Sequence, residues 1–447
     1  MIRRIIEKEL LRWKNNPARK PLLLRGARQV GKTTVVNLLA KHYKQYLYLN
    51  LEEEENARIF QQFNNIHQLI EALFFLHNKN VAEPNTLIFI DEIQEVPKAV
   101  NMLRYFYEKV PNFHVIAAGS LLETLLDKHI SVPVGRVEYK VLRPFSFPEF
   151  LLAMGETTAL QQLQQFPIKD FAHEKLLQLF HTYTLIGGMP EIVSTYAETR
   201  NLSALSAIYE SLLVSYINDV EKYARNDSFV HIMRHVIRSM YTAVGSRIKF
   251  QGFGNSNYGS REVGEAMRTI ECAMLFQLLY PVTDTTIPLL PNLRKAPRLQ
   301  VLDTGLMNYF AGFQKEIMGT PDLDKIYQGQ VVEHIVGQEL LALKFNVLNE
   351  LHFWIREKKD SNAEVDYILL YDGLVIPIEV KSGATGTLRS LHLFMDAAPH
   401  DIAVRFYKGK YSIDKVTTPS GKTFRLLNLP YYMASQVERC LEQIKIF

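Results

Sequence analysis

A chain of 447 residues with 51 Lys and Arg against 47 Asp and Glu has a formal net charge of +4 and a pI near 8.7. It has room for about two to four domains with separate cores, and its mild basicity permits nucleic-acid binding through a local patch without demanding it. The two cysteines, Cys272 and Cys440, lie too far apart for a metal or redox motif, which excludes a disulfide scaffold and points to a reducing compartment with both thiols in cores. No run approaches the ~18–20 apolar residues of a membrane span. Met1–Ile6 lacks a signal-peptide pattern, so a cytoplasmic protein without membrane partners is expected.

Taken in chain order, Ile5, Ile6, Leu10 and Leu11 are spaced for a helix over Ile2–Trp13, stopped by Asn15-Asn16-Pro17. Leu22-Leu23-Leu24 has strand character and ends at Gly26. Gly26-Ala27-Arg28-Gln29-Val30-Gly31-Lys32-Thr33-Thr34 follows, and then an apolar helical pattern. Strand, glycine-framed loop and helix in this order make a G-x-x-x-x-G-K-T match a phosphate-binding loop. Its backbone N–H groups and the helix N-terminus would face the β- and γ-phosphates of ATP. Gly26 and Gly31 would allow the tight curve, Lys32 would reach the phosphate oxygens, and the Thr33 hydroxyl would complete a Mg²⁺ shell.

A second strand, Tyr46–Leu51, runs into the acids Glu52 to Glu55, expected as a helix start or solvated face. Thr86–Ile90 reads as a buried parallel strand carrying Asp91 and Glu92 at its C-terminal end, where ligands bind in open α/β sheets. Asp91 would hold Mg²⁺ directly or through water, and Glu92 would polarise the attacking water. Another strand, Phe113–Ala118, leads to Ser120, either a γ-phosphate sensor or a helix cap. Arg136 is the best arginine-finger candidate toward a neighbouring subunit's nucleotide, with structural ion pairing as the alternative.

These segments, with Pro144–Phe150 and Gly187-Gly188-Met189-Pro190-Glu191, resemble the prokaryotic AAA+-type ATPases that carry a C-terminal domain of restriction-endonuclease type. Ala27 departs from the proline many relatives have there, which alters loop stiffness and not the ligand set. The expected architecture is α/β in three parts. Residues 1–205 would form a P-loop AAA+ ATPase with its lid, 206–310 a helical and winged-helix region, and 311–447 a nuclease-like domain.

In the middle, Ile186–Pro190 reads as a hinge, followed by helical patterns over Ser203–Tyr223 and Phe229–Val244. The stretch Arg261–Leu279 ends in strand-like Phe276–Tyr280. Helices followed by a β-hairpin suggest a winged helix-turn-helix, as the resemblance also implies, with Arg261 and Arg268 near DNA phosphates. A plain helical connector is the alternative. Arg294-Lys295-Ala296-Pro297-Arg298 is a basic run whose non-functional reading is a solvated loop. Asp303-Thr304-Gly305-Leu306 matches a family signature for which helix capping by Asp303 is the one mechanism evident.

Near the C-terminus, strands Ala363–Leu370 and Leu374–Lys381 flank Tyr371-Asp372-Gly373, a hairpin signal. With a two-residue loop at Asp372-Gly373, Tyr371 pairs with Leu374, Asp366 falls opposite Glu379, and Glu364 falls opposite Lys381. Opposed residues share a face with Cβ atoms ~4.5–5.5 Å apart. Adjacent carboxylates repel unless a cation lies between them, so a divalent metal is expected, with Lys381 positioning or deprotonating water. Asp366, Glu379 and Lys381 resemble the D…E-x-K core of PD-(D/E)xK nucleases, and the resemblance implies that Glu333, on a helix starting at Gln330, completes the acidic set. Alternatives are an ordinary solvated sheet face, or a nuclease fold that binds DNA without cutting. The expectation overall is an ATP- and Mg²⁺-dependent DNA-processing homo-oligomer, a ring or a dimer. The competing expectation is a nucleotide-operated assembly switch.

Overall fold

The computed structural model describes residues 2–119, 135–219, 222, 224–313, 329–358, 361–381 and 388–445. It divides into two compact units, one of residues 1–143, 268–275 and 345–348, the other of 144–267, 276–344 and 349–447. The expected middle and C-terminal segments therefore fall largely in one unit, together with the expected lid.

The first unit holds a five-stranded parallel sheet of β1 (Leu22–Arg25), β2 (Gln45–Asn50), β3 (Thr86–Asp91), β4 (His114–Gly119) and β5 (Glu138–Val141), in the order β2-β3-β4-β1-β5. Helices α1 (Ile6–Asn15), α2 (Lys32–Ala40), α3 (Glu54–Gln62), α4 (Ile66–Leu76) and α5 (Pro97–Lys109) accompany it. Strands β1 and β3 are apolar without alternation and buried along their whole length, the pattern of a parallel sheet covered on both faces. Leu23, Ile88 and Ile90 are fully buried with Leu69, Leu73 and Phe106 of the helices, each such side chain contributing roughly 1.5–3 kcal/mol of burial. Because all five strands are parallel, the ends of β1 and β3 emerge on the same edge. That places the loop after Arg25 beside Asp91.

In the second unit, α6 (Phe147–Ala153) opens with a capping box between Ser146 and Glu149. It is followed by α7 (Thr157–Leu163), α8 (His173–Ile186), α9 (Pro190–Thr199), α10 (Ser206–Asp219) and α11 (Asp227–Met240). The Asn226 side chain caps α11 by accepting the Phe229 amide at 2.9 Å. The putty-like composition of Ile186–Pro190 does not make a swivel. Phe145 donates its amide to Gly188 O at 2.7 Å, and a Cβ on Gly188 would stand 2.2 Å from Phe145 O.

After α12 (Ser260–Cys272), the structure corrects the expected hairpin. Strand β6 (Phe276–Leu279) pairs antiparallel with β8 (Arg298–Val301), not with its immediate successor. The intervening β7 (Pro281–Val282) leaves to join the edge of a seven-stranded sheet, parallel to β9. Helix α13 (Thr304–Phe310) and α14 (Gln330–Ala342) come next. The sheet then runs β13 (Ser412–Thr417), β14 (Thr423–Pro430), β12 (Ile402–Tyr407), β11 (Leu374–Val380), β10 (Ser361–Tyr371), β9 (His352–Lys358) and β7, with α15 (Arg389–Ala397) between β11 and β12 in sequence. Trp354, Val365, Ile368, Leu391 and Phe394 form the core on which α15 packs. Helix α16 (Val437–Lys445) ends the described chain and buries Cys440, whereas Cys272 is partly exposed rather than in a core.

Candidate functional site

The first centre grows from the end of β1. The backbone turns at Gly26, where a Cβ would meet Leu142 O at 2.4 Å, so only glycine fits. It enters α2 through Gly31 at φ 93°, a left-handed cap. Ala27 and Val30 are buried beneath the loop, Gln29 takes a positive φ of 63°, and Arg28 pairs with Glu52 at 3.3 Å. The acids after β2 thus divide between that ion pair and the first turn of α3, where Glu54 and Glu55 lie. Lys32, buried in spite of its charge, folds back so that Nζ donates to Gly26 O at 2.9 Å and Ala27 O at 3.0 Å. The ammonium is thereby held over the loop's concave side. Thr34 follows in the first turn of α2.

Thr33 and Asp91 converge as the two strand ends require. The Thr33 hydroxyl donates to Asp91 Oδ2 at 2.7 Å, and Tyr48 from β2 reaches the same oxygen at 3.3 Å. Burial pushes the Asp91 carboxyl above the ordinary range, while the Thr33 hydrogen bond and the nearby Lys32 charge oppose that shift. A hydroxyl and a carboxylate at this spacing, beside a buried ammonium, are a donor set for Mg²⁺ bound to a phosphate chain.

Glu92 occupies a left-handed backbone position, φ 49° and ψ 46°, directly after β3. This turns its carboxylate out of the sheet, and Gln94 Nε2 donates to Glu92 Oε2 at 2.6 Å. The other amide atom, Gln94 Oε1, is buried without a partner, facing the point where a Cβ on Gly119 would stand 2.3 Å away. Gln94 was not anticipated, although a glutamine two residues beyond the acidic pair was visible. Ser120 lies outside the described residues. Arg136 rests on Glu108 of α5, Nε to Oε1 2.7 Å, with its guanidinium over the Tyr107 ring. Of its two expected roles, the ion pair is the one in place.

The second centre lies in the other unit. Strands β10 and β11 pair in the expected register from Tyr371↔Leu374 to Tyr367↔Ile378, with the two-residue turn at Asp372 and Gly373, both at positive φ. The register leads to Asp366, whose Oδ2 accepts the Val380 amide at 2.8 Å. Lys381 Nζ lies 2.5 Å from Glu379 Oε1, while Glu379 Oε2 is buried with no partner. Glu333 comes in from the first turn of α14, as expected. Glu364 does not meet Lys381. On the β9 side Glu364 pairs with Ile355, and its carboxylate is taken by Arg298 and Arg247.

Arg298 is the residue missed. At the first position of β8 it pairs with Glu333 Oε1 and Glu364 Oε1 and lies 3.9 Å from Asp366 Oδ1, its guanidinium stacked over Phe353 at 4.8 Å. The basic run is therefore divided: Arg294 is exposed as a solvated loop would have it, Lys295 pairs with Glu357 at the surface, and Arg298 turns into the acidic cluster. Burial, and then the Asp366 charge, push the Glu333 carboxyl up to about 8, against the pull of Arg298. Burial likewise raises Glu379 to about 8, relieved in part by Lys381. Burial would lower Arg298, but Glu333, Glu364 and Asp366 outweigh it and hold the guanidinium charged. Among the described residues no group of three or more His, Cys, Asp or Glu is gathered so that it could hold a metal ion. The carboxylates expected to bind Mg²⁺ face the protein's own cations, and as arranged they do not form a metal cage. Arg261 and Arg268 are exposed on α12.

Comparison with known proteins agrees with the first centre. Residues 18–151 match the family described as AAA domain, 177–316 match a domain of unknown function (DUF8612), and 328–432 match another (DUF4143). No curated protein matches. Similar solved structures include a Walker-type ATPase of Pyrococcus abyssi, with 14% identity, 70% of this chain and 96% of that one covered, and a TM-score of 0.43. Another is a signal transduction ATPase with numerous domains (STAND) protein with a tetratricopeptide repeat sensor from Pyrococcus horikoshii. It shares 14% identity over 76% of this chain and 47% of that one, about half its length, with a TM-score of 0.29. No helix among the described residues is long and apolar enough to cross a membrane. With the loop, the hydroxyl–carboxylate pair and the parallel sheet in place, residues 18–151 are an AAA domain of P-loop ATPase type.

Proposed function

We propose that this protein hydrolyses ATP at the Gly26–Thr34 loop and uses the cycle to act on DNA through a C-terminal domain of nuclease type whose acidic centre is latent. The observation that carries the ATPase half is the 2.7 Å contact of Thr33 with Asp91 beside Lys32. Mg²⁺ bound there with ATP would supply charge neutralisation at the phosphates. Lys32 would leave the Gly26 and Ala27 carbonyls for phosphate oxygens, Thr33 and Asp91 would hold the ion, and loop N–H groups would seat the chain of phosphates. Glu92, oriented by Gln94, draws a proton from the attacking water. Arg136 reaches a neighbouring subunit in a ring or dimer only after leaving Glu108.

For the second half, support comes from the hairpin register down to Tyr367↔Ile378, next to which Asp366 accepts the Val380 amide and Lys381 pairs with Glu379, with Glu333 on the helix ahead of them. Arg261 and Arg268, each exposed on α12, suit contact to DNA phosphates. A second reading is favoured by Arg298 among the carboxylates: the C-terminal domain binds without cutting, and ATP switches assembly. Cleavage of linear and branched DNA with Mg²⁺ or Mn²⁺, with and without ATP, by wild type, Asp366→Ala and Lys381→Ala tests the choice. Cutting lost in both variants supports the nuclease. Equal cutting by all three removes it, and DNA that neither binds nor alters ATP turnover at modest salt removes the processing role.

A further inference from the structure

Strand β2 alternates strictly. Leu47 and Leu49 enter the core with Ile88 and Ile90, so Tyr46 and Tyr48 share the opposite face of the sheet. Strands β2 and β3 pair in parallel with Tyr48 beside Phe89 and Asn50 beside Asp91. The Tyr48 ring lies against the Phe89 ring, centroids 5.5 Å apart, and its hydroxyl reaches forward to Asp91 Oδ2 at 3.3 Å. Tyr46, one step back on the same face, reaches α2 instead. Its hydroxyl donates to Asn37 Oδ1 at 2.6 Å, one helical turn beyond Thr33. Two phenols of one strand face thus have different partners, and only Tyr48 touches the carboxylate at the end of β3.

We propose that Tyr48 is a positioning residue for Asp91, holding its carboxylate in the orientation that receives the Mg²⁺ accompanying the nucleotide. The inference rests on the ATPase reading of the Gly26–Thr34 loop. An ionised carboxylate offers about four lone-pair sites. Asp91 Oδ2 accepts the Thr33 hydroxyl at 2.7 Å and the Tyr48 hydroxyl at 3.3 Å, while Oδ1 accepts the Glu92 amide at 3.2 Å. Among the described residues this leaves an acceptor position open on Oδ1, which an ion or an ion-bound water would take. The donors come from α2, from β2 and from the residue after Asp91 itself. Held from these separate origins, the carboxylate loses the broad freedom of its last torsion. Donors behind a metal-binding carboxylate matter, and their loss typically costs about 10–100-fold in metal affinity or activity. Tyr48 is 39% exposed, so water is available to its hydroxyl and burial does not impose the contact. Removing that hydroxyl leaves Oδ2 with Thr33 and creates no orphaned donor, which separates its role at the site from the folding of the strand.

Calorimetric titration of the full-length chain with ADP, in Mg²⁺ and in EDTA, tests this together with the Mg²⁺ dependence of ATP turnover. The proteins compared are wild type, Tyr48→Phe, Tyr46→Phe, Asp91→Ala and Tyr48→Phe with Asp91→Ala. Tyr48→Phe should bind ADP in EDTA as wild type does and lose most of the gain in affinity that Mg²⁺ brings. It should also need about tenfold more Mg²⁺ for half-maximal turnover. Tyr46→Phe, which gives up a hydroxyl on the same strand face, should keep the wild-type Mg²⁺ requirement. In the Asp91→Ala background, ADP affinity in Mg²⁺ should be the same with or without Tyr48→Phe, because the hydroxyl acts through that carboxylate. Tyr48→Leu carries the test if the phenylalanine variant does not fold. Wild-type Mg²⁺ dependence in the Tyr48 variant overturns the inference and leaves the ATPase reading intact. So does an equal shift in Tyr46→Phe, or an effect of Tyr48→Phe that persists undiminished beside Asp91→Ala. ADP binding by wild type that is absent, or that Mg²⁺ does not strengthen, removes the reading of the loop and the inference with it.

Discussion

Asp303 Oδ2 accepts the Gly188 amide at 2.6 Å, and this contact explains two glycine-containing segments more than a hundred residues apart. Asp303 also caps α13 by accepting the Leu306 amide at 3.1 Å. A Cβ on Gly187 would stand 2.1 Å from Asp303 Oδ1, and one on Gly305 would stand 2.0 Å from Ile186 O. The ends of α8 and α13 therefore approach to a distance that only glycine allows. Asp303→Asn, which keeps the size but gives up the charge-assisted acceptor, should destabilise the second unit by about 1.5–3 kcal/mol. Gly187→Ala should cost at least as much, since that residue also sits at φ 75°. Urea unfolding followed by tryptophan fluorescence checks both, and midpoints equal to wild type would show that the contact is incidental.

Gln94 is a positioning residue for Glu92. With the amide donor removed in Gln94→Ala, the carboxylate loses its 2.6 Å partner. Turnover should fall about ten- to a hundredfold with the KM for ATP nearly unchanged, because the Gln94 amide donates to Glu92 and not to a residue of the Gly26–Thr34 loop. Gly119→Ala, whose added methyl would press on Gln94 Oε1, should shift kcat in the same direction. A Gln94→Ala enzyme with unchanged kcat would separate the two residues functionally.

The buried Glu339 makes stability depend on pH. Burial raises its carboxyl to about 8, although the Phe147 amide at 2.9 Å and the Tyr183 hydroxyl at 2.7 Å lie against Oε1. A carboxyl raised on folding favours the protonated folded state. Its contribution is therefore complete below the unfolded value of roughly 4.3 and is lost as pH rises toward 8. At most it changes stability by about 1.4 kcal/mol per pH unit across that window. Unfolding midpoints of wild type should fall between pH 5 and pH 8, and Glu339→Gln should remove about one proton from the slope. Equal slopes would place the charge elsewhere.

What could be read from the chain alone was local. The phosphate loop is a contiguous string, and its partner Asp91 ends an apolar run that only a parallel strand explains. The hairpin around Asp372 and Gly373 carried its register in the turn, so the pairing from Tyr371↔Leu374 to Tyr367↔Ile378 could be found by counting. Contacts that depend on non-consecutive pairing could not be counted. Nothing near Arg298 indicates that β8 will lie against β6 with its first side chain among acids on α14 and β10. The same applies to β7, which two apolar residues after a turn do not mark as a member of a distant sheet. Ile186–Pro190 was misread because glycine records either freedom or close approach, and only the partner, here Asp303, tells which.

The account stands most directly on ATP hydrolysis by purified wild type, Lys32→Ala and Glu92→Gln in Mg²⁺, measured together with nucleotide binding. It predicts steady turnover in wild type, weakened nucleotide binding in Lys32→Ala, and retained binding with turnover reduced about a hundredfold or more in Glu92→Gln. Turnover by Glu92→Gln at the wild-type rate, or tight nucleotide binding by Lys32→Ala, would contradict it.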